Sequence, residues 1–401
     1  MTIKIENVRQ RIANGGSDLS ADVVTNGQRE TVTFSRYSTD MDMEACVASG
    51  EPFLVMLLMH AMKCGQDLEF DGPVDARLLH ELRGTIQLVL RAKFPALRTI
   101  AIRAHSRPLI DAVDQSSHIA TGFSGGIDSM QLLSRSLIRK DLPAELSVTM
   151  LMHHDVGSVV QREQAVVNRD HAQSWAERLG LAFAGASCDM GRYYEGFQFV
   201  ESHTLRTVAA CLSLAPLFRR YLFASGTDTE AAMRDISSRT IDSANLILLP
   251  LLSTATTDLR QFGGECTRIH KMLQVLDCES LLPGINLCAR VNHDNAGKLN
   301  CGRCFKCFPL LLVAESLGKL NQLSPTFDLA SFEKHKTRSY CNFFIHALGP
   351  RQSQINRQVA ELLRHESKLQ PSLANLLLKL IPGPASEQSY TTKTQQQLAT
   401  A

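Results

Sequence analysis

The 401-residue chain has almost no net charge: 42 Lys and Arg stand against 40 Asp and Glu, leaving a formal +2. No global field therefore selects a polyanion or an anionic membrane, and nucleic acid is not the default partner, although a local basic patch is compatible with that sum. Long hydrophobic runs are also missing. The longest, "FLVMLLMHAM" (53–62), is far too short to span a bilayer and is interrupted by His60, and "MTIKIENVRQ" lacks the apolar stretch of a signal peptide. These absences predict a cytoplasmic protein without membrane contact. Tryptophan occurs once, yet 44% of residues are hydrophobic, enough for a sizeable core in two or three domains. Internal repeats are absent, and two common phosphate motifs are missing as well: there is no G-x-x-x-x-G-K-[ST], and no G-x-G-x-x-G where it would be needed.

Eleven cysteines, an odd count without a secretory signal, argue against a disulfide scaffold and for thiols plus a metal site. Seven of them, Cys46, Cys64, Cys188, Cys211, Cys266, Cys278 and Cys341, read as small apolar residues. The other four cluster in "INLCARVNHDNAGKLNCGRCFKC". Cys301, Cys304 and Cys307 follow C-x2-C-x2-C spacing, and Cys288 lies thirteen residues upstream. Together they can close a tetrahedral all-sulfur shell, with Gly302 easing the turn. Zinc ranks first as occupant and an iron–sulfur cluster second. Four thiolates leave no open coordination position, so the metal reads as a structural clasp.

Along the first 110 residues, "ETVTFSRYS" and "DLEF" read as strands and "EPFLVMLLMHAMKCG" as a buried helix ending at Gly65. Pro73 suits a first helical position ahead of "VDARLLHELRGTIQLVLRAK", and "LRTIAIRAH" returns to strand character. From about residue 116 strand and helix alternate: "SHIATGF", "DSMQLLSRSLIRK", "AELSVTMLMHH", "REQAVVNRDHAQSWAERLG", "LAFAGAS", "TLRTVAACLSLAPLFRR" and "YLFAS". That βαβαβαβ order predicts an α/β fold with a parallel sheet and right-handed crossovers. In the second helix the inner face is Ala165, Val166, Ala172, Trp175, Ala176 and Leu179.

Between the first of these strands and its helix lies "SGGIDS" (124–129). Gly125 and Gly126 reach φ angles closed to other residues and, without a Cβ, let backbone approach phosphate oxygens. Ser124 and Ser129 offer hydroxyls, and Asp128 a carboxylate for Mg2+. The plainer reading is a tight turn with Ser124 or Asp128 as a helix cap. Five fixed residues in six positions would arise by chance in about one 400-residue chain in a few thousand.

"SGGIDS" resembles the SGGxDS signature of the PP-loop ATP pyrophosphatases, which include asparagine synthetase domains, 7-cyano-7-deazaguanine synthase and several tRNA-modifying enzymes. The C-terminal CGxCxxC group is similar to the one that binds zinc in the deazaguanine enzyme, except for the long spacer after Cys288. The resemblance covers residues 116 to about 320. It implies an adenine nucleotide alpha hydrolase-like domain in which Ser124, Gly125, Gly126, Asp128 and Ser129 hold the pyrophosphate and Mg2+ of ATP. A substrate oxygen attacks the α-phosphate, and a nucleophile then displaces AMP. Arg268 and Lys271, one helical turn apart in "GGECTRIHKML", are candidates for charge stabilisation, although solvent-exposed helix charges are commoner. Asp228 in "SGTDTE" sits at a strand's carboxyl end, where open α/β sheets bind ligands. His153 and His154, at the end of a strand, read as structural.

The resulting expectation is an N-terminal α+β domain (1–112), a PP-loop domain with the cysteine site (113–320), a helical C-terminal region (321–384) and a polar, disordered tail (385–401). The expected activity is an ATP-dependent, AMP- and pyrophosphate-forming ligase that adenylates a carboxylate or carbonyl of a small molecule or peptide and passes it to ammonia or an amine. Two alternatives stand beside it: a sulfur-transferring enzyme acting on tRNA or a metabolite, and a non-catalytic ATP-binding module of a larger assembly. The sequence is silent on the acceptor and the oligomeric state.

Overall fold

The computed structural model describes residues 1–13, 15–107, 116–159, 161–234, 240–288, 297–348, 358–360 and 362–363. Three strands, β1 (Thr2–Ala13), β2 (Gly16–Thr25) and β3 (Gln28–Ser38), precede α1 (Glu51–Cys64), β4 (Asp67–Asp75), α2 (Ala76–Arg83), α3 (Thr85–Lys93) and β5 (Ile102–Arg107). There follow β6 (Ile119–Gly122), α4 (Ile127–Leu133), β7 (Met150–Asp155), α5 (Arg162–Leu179), β8 (Ala182–Ser187) and α6 (Phe199–Ser213). After these come β9 (Arg220–Ala224), α7 (Thr229–Arg234), α8 (Asn245–Leu251), β10 (Asp258–Phe262), α9 (Arg268–Leu276), α10 (Cys307–Ser316) and α11 (Leu329–Leu348). The predicted tail from 385 and the cysteine at 341 lie outside what is described, the latter in its side chain. The chain forms two compact units: Met1–Ser124 with Lys140–Glu265, and Gly125–Arg139 with Cys266–Ala401.

The first unit holds one ten-stranded sheet in the order β10-β9-β6-β7-β8-β3-β2-β1-β4-β5. The fold is α/β: β10, β9, β6, β7 and β8 run parallel, as the alternating pattern predicts, and β3 then joins β8 antiparallel through Ser35 opposite Ser187. Strands from the first hundred residues thus continue the sheet. Because β6 lies between β9 and β7, the chain leaves β6 in one direction and returns to its other side at β9. That makes the carboxyl ends of β6 and β9 a topological switch point, the usual ligand crevice of open α/β sheets.

Local rules explain the elements around it. Helix α1 is apolar all round because every side chain from Phe53 to Met59 is fully buried, between the sheet and α6. Its run is a core helix, and Gly65 closes it in the left-handed region at φ 66°. Pro73 lies in β4 and not at a helix start, because the Asp75 carboxylate caps α2 by accepting the Leu78 N–H at 3.0 Å. Gly84 divides the predicted helix into α2 and α3. On α5, Ala165, Ala172, Trp175 and Ala176 are buried, but Val166 faces solvent.

At the end of β7, His153 is buried with Nδ1 2.7 Å from the Tyr37 hydroxyl, and His154 Nε2 lies 3.6 Å from Cys211 Sγ. Burial pushes their pKa values down, to about 4 and about 3. Both rings are neutral structural groups in the folded state. Below pH 6.5 the unfolded chain takes up protons that the folded one refuses. Stability should therefore fall between pH 6.5 and about 4, by up to about 1.4 kcal/mol per pH unit for each histidine. Urea denaturation midpoints across that range check this. His153→Gln should flatten the decline, and an unchanged slope would rule the assignment out.

Candidate functional site

The glycine pair belongs to the second unit and is held there by a specific close approach. Gly125 has φ +71°, and a Cβ added to it would lie 2.6 Å from the Gly284 carbonyl oxygen and 2.9 Å from the Asn286 nitrogen. Only glycine fits. Its own carbonyl accepts the Asn286 N–H at 2.9 Å. Gly126 is the extended N-cap of α4 and supplies no side-chain cap, so the first amides of α4 have no intrahelical acceptor. Ser129 is buried and its hydroxyl turns back to donate to the Gly126 carbonyl at 3.0 Å. Ser124 closes the first unit and is exposed.

Asp128 meets two cations from α9, which packs on α4. One carboxylate oxygen bonds Arg268 Nη1 and the other lies 3.3 Å from Lys271 Nζ. Arg268 and Lys271 share a face because they are three residues apart on a helix capped by Thr267. Neither is a solvent-exposed helix charge: Lys271 is 1% exposed and the Arg268 side chain 22%. Burial alone would raise the Asp128 pKa, but the two cations outweigh it and hold the carboxyl below its ordinary value. The trio carries a net charge of about +1, and Arg268 Nε is buried with no hydrogen-bond partner among the described residues. An anion would satisfy both. Asp228 belongs to the first unit, after the carboxyl end of β9, where its carboxylate accepts the Ala231 N–H at 2.8 Å as the cap of α7.

The four cysteines come together in the second unit. Their sulfurs all lie within 4.8 Å of one another. Cys307 Sγ is 3.4 Å from both Cys288 and Cys304, and the Cys301 N–H donates to Cys288 Sγ at 3.1 Å. Shared hydrogen bonds split the set. Contact with Cys288 lowers Cys301 and brings Cys304 down to about 6, while Cys288 and Cys307 are raised. A bound cation draws all four to thiolate.

Asn300, fully buried beside Cys301, is the residue that sequence reasoning missed. Its Nδ2 donates to the Ile285 carbonyl at 2.7 Å and to that of Thr326 at 3.2 Å, and its Oδ1 accepts the Leu287 N–H at 2.6 Å. Segment 284–288 is thereby tied to Gly125 at one end and to the cysteine cluster at the other. The available signal was a lone Asn directly before C-G-x-C, too common to single out.

No protein-family model matches the chain, and no curated protein matches it. Among solved structures, it is similar to the U34-tRNA thiolase NcsA from Methanococcus maripaludis with its 4Fe-4S cluster, at 12% identity and a TM-score of 0.27, over 64% of this chain and 78% of that one. A likeness of that size carries neither an activity nor a fold across. The donor set itself corrects the ranking of zinc above an iron–sulfur cluster: four thiols with C-x2-C-x2-C spacing contain nothing that selects zinc.

Asn300→Ala would leave buried backbone groups of Ile285, Leu287 and Thr326 without partners, at a cost of about 1–3 kcal/mol. Denaturant unfolding should show that loss, with faster reaction of Cys288 and Cys301 towards a thiol reagent. Wild-type values for both would remove Asn300 from this role.

Proposed function

We propose that the chain is an ATP-dependent enzyme of PP-loop type that activates a carbonyl oxygen of its acceptor by adenylation and passes the activated carbon to a sulfur nucleophile. The observation that carries the reading is the Asp128–Arg268–Lys271 cluster at the head of α4, a preorganised positive site at a helix start that has no side-chain cap. In the first half-reaction the acceptor oxygen attacks the α-phosphorus of ATP, the bond to pyrophosphate breaks and pyrophosphate leaves. In the second, sulfur attacks the activated carbon, the C–O bond breaks and AMP leaves.

Gly125 and Gly126 bring backbone amides to the phosphates, with Ser124 at the loop's entrance. Arg268 and Lys271 stabilise the charge that grows on pyrophosphate, and Asp128 holds both cations in place beside the Mg2+ that accompanies ATP. Cys288, Cys301, Cys304 and Cys307 would hold an iron–sulfur cluster. Such a cluster supplies thiophilic iron and inorganic sulfide.

Anaerobically purified protein should absorb near roughly 400 nm and contain iron and sulfide. ATP–pyrophosphate exchange should depend on one fraction of cell extract, and both Asp128→Asn and Arg268→Gln should lower it by about 100-fold or more. Colourless protein whose exchange leads to an amide would return the ligase reading, with ammonia or an amine as nucleophile. Protein that binds ATP but supports no exchange would be a binding module and not an enzyme.

A further inference from the structure

The turn that carries three of the cysteines exposes an aromatic ring. Phe305 is 83% exposed, and among the described large hydrophobic residues only Met1 is more so. Lack of room does not explain this. Three residues on, Phe308 is buried at 3% and packs its ring 5.7 Å from that of Phe332. The same turn thus places one aromatic in the core and the other in water.

Phe305 is also held in place. It lies between Cys304 and Cys307, which are in sulfur contact, and the Cys304 carbonyl accepts the Phe308 N–H at 3.0 Å to start α10. Gly302, at φ +68°, sets the preceding turn. Arg303 and Lys306 flank the ring, both exposed, and neither makes an ion pair among the described residues. A protein partner calls for a contiguous apolar patch with few charges at its centre, whereas here one ring stands between two cations. That combination matches a nucleobase stacked on the ring with adjacent phosphates on the cations.

We propose that the cysteine turn is a docking point for single-stranded RNA, with an unpaired base stacked on Phe305 and the backbone held by Arg303 and Lys306. The inference rests on the adenylation reading for its purpose, since it makes an RNA base the acceptor, but its test does not depend on ATP.

The test uses the full chain with its metal or cluster, a fluorescein-labelled mixed-sequence 12-nucleotide RNA and the same strand annealed to its complement, read by anisotropy. The single strand should bind more tightly than the duplex. Phe305→Ala should weaken it roughly tenfold and Phe305→Trp should restore it. Arg303→Ala with Lys306→Ala should reduce the slope of log affinity against log salt by about 1.4. Unchanged metal content in each variant shows that the turn is intact. Equal binding by Phe305→Ala, or equal binding of duplex and strand, would overturn the proposal. So would an effect of Phe305→Ala on sedimentation alone, which would make the ring a contact with a second copy. Phe305-dependent RNA binding in protein without ATP affinity would keep this inference and end the adenylation reading.

Discussion

The hydrogen bond from the Asn286 amide to the Gly125 carbonyl is the constraint on which the second unit depends. It requires Gly125 to sit against the backbone of Gly284 and Asn286, closer than any Cβ allows. Gly125 is thus explained by the segment packed behind it. That segment ends at Cys288. Asn300 fastens it from the other side through three side-chain hydrogen bonds to backbone. A loop whose glycine has no conformational alternatives and a cysteine cluster two residues beyond Asn286 are one continuous structure, so ordering either limits the freedom of the other.

The charges near the loop follow from the same packing. A lysine as buried as Lys271 is costly to desolvate, and Asp128 offsets that cost only while it remains ionised. Arg268 supplies the second partner that keeps it so. The arrangement is positive overall, with one guanidinium donor still to satisfy. A site that is poised for an anion before one arrives has little reorganisation left to make when it binds.

Local signals made much of the first unit legible. Strands β6 to β9 and the helices between them follow the predicted alternation because each buries an apolar face at the period of its own structure. Strand β1 escaped that reading for a physical reason. A register shift between Glu6 and Arg9, with Asn7 at φ 53°, breaks the two-residue alternation. Pro73 misled because its fixed φ suits a strand as well as a helix start, and the capping Asp75 decides the matter. The SGGIDS loop was visible in sequence, but the inward turn of Ser129 was not. Nor was the burial of Arg268 and Lys271, since their partner is 140 and 143 residues away in the chain and no local period encodes it.

The cysteine turn shows where sequence and structure divide the work. Spacing alone brings Cys301, Cys304 and Cys307 to one centre, because C-x2-C places successive thiols on the same side of a tight turn. It leaves Cys288 unplaced, thirteen residues away, and that is where Asn300 acts. By bonding Ile285 and Leu287, it holds the segment carrying Cys288 against the residue before Cys301. Phe305 occupies one of the two positions between Cys304 and Cys307 and is exposed, whereas Gly302, at the equivalent position between Cys301 and Cys304, is buried. A phenylalanine there gains nothing from the fold, which leaves recognition as the interaction that could favour it.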